Sequence, residues 1–539
     1  MTNVTAVISM LHEPAGRNSA TRRFRHEPVL RWTLDRVTRA RNIDNVAILC
    51  WEDQLDAVQI HAEASGAYIM TKGPRIVLPT VEAIAAAQRW ADGWRGGLLS
   101  TCDFDQGFYA KWIDELATRM EADTIVLVDP SVGMIDPQLI DEAIKHARSR
   151  PALELCFAPA APGLAATVIR SELVKQLATN NGHPGRLLHY MPEQPCRDPL
   201  GGEGCAAVPA PVARTTARFK LDSDRQIERL SAAWVSLNGQ LIGTGAEELV
   251  HRVAAHRQLD QLPREVVLEL TPRRATSPIF SPLRSMQLDR EEMTLERAAA
   301  LFDELATMDD MRLTLAGIGD SLLATQFEAI VRAAKTAGIA AIHVETDLLP
   351  PSQEMLATLI ELEIDVISVH LPAIQPATYA AVMNVDRMAE VIENIRALVA
   401  LRHRAGRGVP LVVPVFTKCA ANLAEMEQWY DTWLRAVGSA VVAGPSDFAG
   451  QITGAAVADM APPRRRACAR LQRRLMVLSD GRVVACEQDI RGRHALGRVG
   501  EAPIAEIWRQ RMSPLRADHA AGQWNKHQLC TACTEWHRP

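Results

Sequence analysis

Four cysteines near the C-terminal end, Cys468, Cys486, Cys530 and Cys533, are the residues whose types and spacing speak most clearly of chemistry. Cys530 and Cys533 form a CxxC pair. A tight turn across two intervening residues points both sulfurs the same way, so the pair can bind one metal centre. Twelve residues separate Cys468 from Gly481, and four separate Gly481 from Cys486. The stretch LMVLSDGRVVAC reads as strand, Asp-Gly hairpin turn and strand. Such a hairpin returns Cys486 alongside the strand that follows Cys468, and four sulfurs could then converge on one metal or cluster. Four thiolates suit zinc as well as iron–sulfur.

The remaining cysteines do not share this pattern. Cys50, Cys102, Cys156, Cys196, Cys205 and Cys419 are scattered, as reduced thiols would be in a chain with no export signal. The N-terminal MTNVTAVISMLHEP lacks a basic leader region and reads as a first strand, so a cytoplasmic protein is expected. No apolar run approaches the ~20 residues of a membrane-spanning helix. With 59 Lys and Arg against 64 Asp and Glu, the net charge of −5 implies no general affinity for nucleic acid or an anionic membrane. The 539 residues suffice for two to four domains.

The elements that must position these residues are α/β throughout. VTAVISML fits a buried parallel strand, VLRWTLDRVTRAR a helix and NVAILC a second strand, a βαβ start with the polar loop HEPAGRNSATRRFRHEP between. TIVLVDP is a further strand ending at Asp129, with a helix from about Asp136. This order predicts a Rossmann-like sheet over residues 1–245, with ligand chemistry at the carboxyl ends of its strands. PCRDPLGGEGCAAVPAPVA reads as a loop inside that domain. From VVLELT through EMEQWYDTWLRAV, strand and helix patterns alternate, which predicts a parallel (β/α) barrel or partial barrel over residues 262–450. Residues 451–539 form the small cysteine-rich domain. Trp429 and Trp433, with Glu425, have the spacing of a helical packing face. Arg464–Arg466 with Arg473 and Arg474 make a basic cluster, a solvated face able to dock an acidic partner. His494 lies near the cysteines and reads as a surface residue.

The C-terminal pattern resembles a SPASM domain, the extension of many radical SAM proteins. Cys468, Gly481 with Cys486, Leu496-Gly497 with Ile504 to Trp508, and Cys530 with Cys533 follow its order. Four cysteines rather than the full seven make it the abbreviated form, which implies one fully ligated [4Fe-4S] cluster. The alternating region resembles a radical SAM core. The family opens on "ELT" followed by three cluster-binding cysteines, whereas this chain reads ELTPRRATSPIFSPLR, with Arg274, Pro278 and Ser281 at the three places. Arginine and proline cannot replace thiolate ligands, so reductive cleavage of S-adenosylmethionine is not expected. LTLAGIGDSLL corresponds to the segment that holds the methionine amino group, and any residual cofactor binding would fall to Gly317, Gly319 and Asp320.

The first domain resembles GT-A nucleotidyltransferases of the kind that activate acidic sugars with CTP. His26 to Arg36, Asp129 to Asp141, and ARFKLDSDRQIERL with Asp222 and Asp224 carry that likeness. It implies Mg²⁺ at Asp129 with a nucleotide or nucleotide sugar. The phosphate loop departs from the pattern: it has one glycine, Gly16, and arginines Arg17, Arg22, Arg23 and Arg25 where a lysine is expected. Taken together, the resemblances imply an iron–sulfur protein acting as an accessory, electron-transfer or recognition protein in a modification pathway, with a protein or peptide partner. The alternative is a nucleotidyl- or glycosyl-transferase in cell-surface sugar synthesis.

Overall fold

The computed structural model describes residues 3–180, 182–190, 198–234, 243–256, 259–349, 352–452, 454–458 and 460–538. Cys196 and the first residues of the loop at 195–213 lie outside them. The chain divides into two compact units, Met1–Gln258 and Leu259–Pro539.

In the first unit the strands are β1 (Val4–Ser9), β2 (Arg23–Phe24), β3 (Glu27–Pro28), β4 (Asn45–Trp51), β5 (Tyr68–Lys72), β6 (Thr124–Val128), β7 (Leu155–Phe157) and β8 (Thr167–Arg170). β2 and β3 form a separate small hairpin, and the others make one sheet in the order β5-β4-β1-β6-β8-β7. β1 runs parallel to both β4 and β6, whereas β8 and β7 add antiparallel. All six residues of β1 are buried, as a continuous apolar strand covered on both faces must be. Asp136 caps the helix Pro137–Arg148 by accepting from the Gln138 amide (2.9 Å), and Pro137 fills the first helical position, where no donor is missed. The helix Ala246–Ala255 packs Leu249 and Val250 into the cluster of Phe219, Leu230 and Trp234. The first unit therefore extends past residue 245.

In the second unit β9 (Glu265–Leu268), β10 (Arg312–Leu315), β11 (Ala341–Thr346), β12 (Val366–His370), β13 (Leu411–Thr417) and β14 (Val441–Ala443) pair in parallel, each with the next. Helices Leu295–Leu305, Phe327–Ala337, Gln353–Glu361, Met388–Arg404 and Met426–Val437 fill the crossovers. One face of the strands, with Val266, Leu313, Ile342, Ile367 and Val412, joins the main apolar core with these helices. Trp429 is fully buried in that core. Glu425 instead caps a neighbouring helix, accepting from the amides of Ile374 (2.6 Å) and Gln375 (3.2 Å). The α/β class and the parallel βα order are as expected.

The cysteine-rich segment does not stand apart as a third body. β15 (Arg474–Val477) pairs in parallel with β9, from Arg474 opposite Glu265 to Val477 opposite Leu268. β16 (Arg482–Val484) and β17 (Gly497–Arg498) continue antiparallel, giving nine strands in the order β14-β13-β12-β11-β10-β9-β15-β16-β17. The turn between β15 and β16 needs Gly481, whose φ is +87°. The Trp508 indole donates to Asp260 O (3.1 Å) and fixes the far end of the segment to the start of the unit.

Candidate metal centre

Each cysteine of the C-terminal set is placed by a different device. Cys468 precedes the helical turn Arg470–Gln472, and its amide donates to His519 Nδ1 (3.3 Å). Cys486 lies two residues past the end of β16, delivered by the hairpin. Cys530 lies on the short helix Gln528–Ala532, and Cys533 caps that helix with its amide pointed at Cys530 O (3.4 Å). Arg465 ties this helix to the segment before Cys468. Its guanidinium donates to Cys530 O (2.6 Å) and lies 4.9 Å from the Trp524 ring centroid.

The four thiols share one locality. Burial and then Glu487 push the Cys486 thiol well above its ordinary value, and Cys468 adds to the shift. Burial, then Cys533 and Cys468, push Cys530 up to about 11. Cys533 is raised by burial and again by Cys468. Cys468 thus acts electrostatically on all three of the others. Two buried donors nearby, His519 Nε2 and Arg465 Nε, have no hydrogen-bond partner among the described residues, and sulfur acceptors of a bound cluster would suit them.

A single zinc ion with bonds of about 2.3 Å would need its sulfurs within roughly 4 Å of one another. Among the described residues no three His, Cys, Asp or Glu side chains are arranged as a ready-made metal-ion site. A cubane cluster instead holds four thiolates on four separate irons, so its ligands stand farther apart. Cys468, Cys486, Cys530 and Cys533 are the residues that could hold it. His494 is exposed and its amide donates to Asp489 (2.8 Å), so the structure gives it no part among the sulfurs.

At the carboxyl ends of the parallel strands lies a second constellation. Arg274 is ion-paired with the fully buried Asp347 (Nε–Oδ2 2.9 Å). His370 Nδ1 is 3.2 Å from the same carboxylate, and the Thr276 hydroxyl donates to it. Burial alone would raise Asp347, but Arg274 and then His370 hold it below the usual carboxylate range. Asp320 is fully engaged inside the protein, accepting from the Thr346 hydroxyl (3.0 Å) and the amides of Asp347 (2.8 Å) and Leu322 (3.0 Å). Burial and then Asp347 push it up to about 6. Gly319 has a packing reason for being glycine: a Cβ there would lie 2.1 Å from Thr271 O and 2.6 Å from Arg273 O. Gly317 is pressed against the Glu269 side chain in the same way.

In the first unit Asp129 sits at the end of β6, with Lys220 Nζ 2.9 Å away. That fully buried ammonium also meets Asp103 (3.1 Å) and the Gln106 side chain. His12 Nε2 approaches Asp129 from the end of β1 (3.6 Å). Burial would raise Asp129, yet Lys220, His12 and a hydrogen bond from Ser131 lower it. The negative charge expected to hold Mg²⁺ is paired with a protein cation in this structure. Asp224 pairs with Arg17 and with Arg22 (3.3 Å), fastening the expected phosphate loop to the helix Asp224–Trp234, and Asp222 pairs with Arg218. Lys220, His12 and Asp103 were not singled out by sequence reasoning. The signal available was the lysine of ARFKLDSD, beside the two aspartates that were.

Residues 468–534 match the SPASM family model, an iron–sulfur cluster-binding domain. The SPASM reading of the C-terminal segment is thereby borne out. The chain is similar to an uncharacterized protein of Treponema pallidum (strain Nichols), 26% identical over 310 residues, 54% of this chain and 84% of that one. Among solved structures it is similar to BtrN in complex with AdoMet and 2-DOIA, at 17% identity and a TM-score of 0.35 over 50% of this chain and 93% of that one. It is also similar to a cytidylyltransferase from Leptospira borgpetersenii serovar Hardjo-bovis (strain JB197), at 13% identity and a TM-score of 0.31 over 47% of this chain and 93% of that one. No helix among the described residues is long and apolar enough to cross a membrane.

Proposed function

We propose that this chain is an iron–sulfur protein that carries one [4Fe-4S] cluster on Cys468, Cys486, Cys530 and Cys533 and does not cleave S-adenosylmethionine in its barrel. It serves as an accessory, electron-transfer or recognition protein in a modification pathway. The observation that carries this reading is the pairing of Arg274 with Asp347 at the barrel mouth. A cationic side chain sits at the first of the three places where the core pattern requires thiolates, and Pro278 and Ser281 stand at the others. A cluster held by four cysteines leaves no open iron for substrate, which supports electron transfer or a structural task over chemistry at the metal. The chain's own residues orient the thiolates, and the Arg465 contact closes the CxxC helix over them.

The test is anaerobic purification with counts of iron, sulfide and zinc, followed by incubation with S-adenosylmethionine and reductant. About four irons and four sulfides with no 5′-deoxyadenosine agree with the proposal. One zinc without iron, or deoxyadenosine formation, refutes it. A second reading, nucleotide binding in the first unit, is favoured by Lys220, His12 and Asp129 meeting at the strand ends. A rise in thermal midpoint with CTP or a nucleotide sugar, lost in Asp129→Ala, supports it, and no shift with any nucleotide counts against it.

A further inference from the structure

Charge is unevenly placed along this chain. Residues 464–539 carry fifteen Lys and Arg against seven Asp and Glu, a net of +8, and residues 1–463 carry the other 44 against 57, a net of −13. The near-balanced total hides a basic end. Much of that end's acidity is consumed internally. Glu487 pairs with Arg474 (2.8 Å), Asp480 with Arg482 (2.7 Å), Glu506 with Arg511 (2.7 Å) and Asp518 with Lys526 (2.9 Å). Arg464 and Arg466 are exposed and have no acidic partner among the described residues. They stand four and two residues before Cys468.

The arginine run is fixed beside the cysteines rather than trailing free of them. Arg465, between the two exposed arginines, donates to Cys530 O and covers the Trp524 ring. Cys468, Cys530 and Cys533 are each partly exposed, and Thr531, Ala532 and Thr534 on the CxxC turn are exposed. The rim of the proposed cluster thus reaches the surface at a place edged by positive charge.

We propose that this face docks a small acidic protein that carries one electron, and that the carrier reduces the cluster held by the four cysteines. The inference rests on the [4Fe-4S] reading above. In the step the carrier's redox centre is oxidised by one electron and the cluster is reduced by one. No bond forms or breaks, and no proton moves. A redox encounter needs only a small, short-lived interface, and opposite charge supplies orientation and speed rather than tight affinity. Residues 259–463 of the same unit carry 16 Lys and Arg against 27 Asp and Glu, so attraction to an anionic partner is confined to the arginine-edged face, which suits a small footprint.

The test uses the full-length protein with its cluster. A reduced plant-type ferredoxin, an acidic one-electron carrier, is mixed anaerobically with the oxidised protein, and bleaching of the cluster is followed by stopped flow. The expected rate falls at least about tenfold between low and high salt, as steered association does. It falls comparably at low salt in the R464E/R466E double variant, while the iron count and the rate of reduction by dithionite stay unchanged. An unaltered rate in the double variant, a rate insensitive to salt, or no reduction of the parent overturns the proposal. Salt-sensitive RNA or DNA binding that the variant loses, with its carrier rate unaffected, assigns the face to nucleic acid instead. A preparation without iron sinks the cluster reading itself, and is told apart by the metal count before any carrier is added.

Discussion

Single side chains in this protein are governed by partners far away in sequence. Lys220 is the clearest case, a fully buried ammonium between Asp103 and Asp129. Removing one partner of a buried charge group leaves the others uncompensated, at a cost of about 3–5 kcal/mol. Lys220→Met should therefore lower the stability to urea by about that much, and Lys220→Met with Asp129→Asn should recover a large part of it. Equal losses in the single and double variants would show that the cluster is not a charge-balanced set. Glu13 offers a pH test. It is buried against Ser19, whose amide (3.0 Å) and hydroxyl (2.6 Å) donate to it, and burial pushes its carboxyl from 4.5 up to about 7. Between those values the folded state keeps a proton that the unfolded state releases, so stability falls as pH rises across that window and stays reduced above it. The ceiling is about 3 kcal/mol. The thermal midpoint should drop between pH 5 and 7 in the parent and stay flatter in Glu13→Gln, and an identical slope in both would discard Glu13 as the cause. The four cysteines were legible in sequence because their spacing is local and patterned. Lys220 with Asp129 and Arg274 with Asp347 were not, since those pairs span 91 and 73 residues with no periodic signal.

At the level of elements, the alternation of strand and helix was readable from residue periodicity alone, and the parallel pairing of β9 through β14 follows it. What periodicity does not encode is which distant strand extends a sheet. β15 joins β9 across 209 residues, and the shared apolar surface of Val267, Met476 and Leu478 with Ala316 and Val484, together with the Arg474–Glu265 ion pair (2.9 Å), explains the choice. The glycines after β10 illustrate the same limit. Expected as a cofactor-binding turn, they lie where the backbone passes close to the segment that follows β9. At Gly319 the obstructing atoms are the carbonyl oxygens of Thr271 and Arg273, which cannot rotate aside as a side chain can. Gly319→Ala should therefore cost about 3 kcal/mol, the upper end of overpacking, with no added ligand needed to reveal it. Urea unfolding of the second unit measures this. A loss below about 0.5 kcal/mol, the usual effect of a surface change, would mean that the turn is open and the packing account is wrong.

The whole molecule combines two separately cored units with one sheet that spans the second from end to end. The cysteine-bearing hairpin is part of that sheet, and Ser479 N donates to the buried Glu269 (3.2 Å), which also accepts from Arg290 (2.8 Å). Arg290 in turn donates to Ile490 O, so the end of β9, the hairpin turn and the segment after Cys486 are held as one piece. Metal binding that organises the cysteines would then stabilise this sheet too, because folding free energy and metal-binding free energy are linked where a site forms only in the folded chain. The first unit has its own cores around a different sheet. Calorimetry of the loaded protein should accordingly show two transitions. Anaerobic removal of iron by a chelator should lower one by several degrees, about the shift that 1–2 kcal/mol produces in a unit of this size, and leave the other in place. The lowered transition should be the one that Gly319→Ala also lowers, and the unmoved one should be the one that responds to Lys220→Met. If chelation moves neither, the cysteines are not bearing a stabilising centre. If it moves only a small separate transition, the cysteine-rich segment folds apart from the barrel despite the shared sheet.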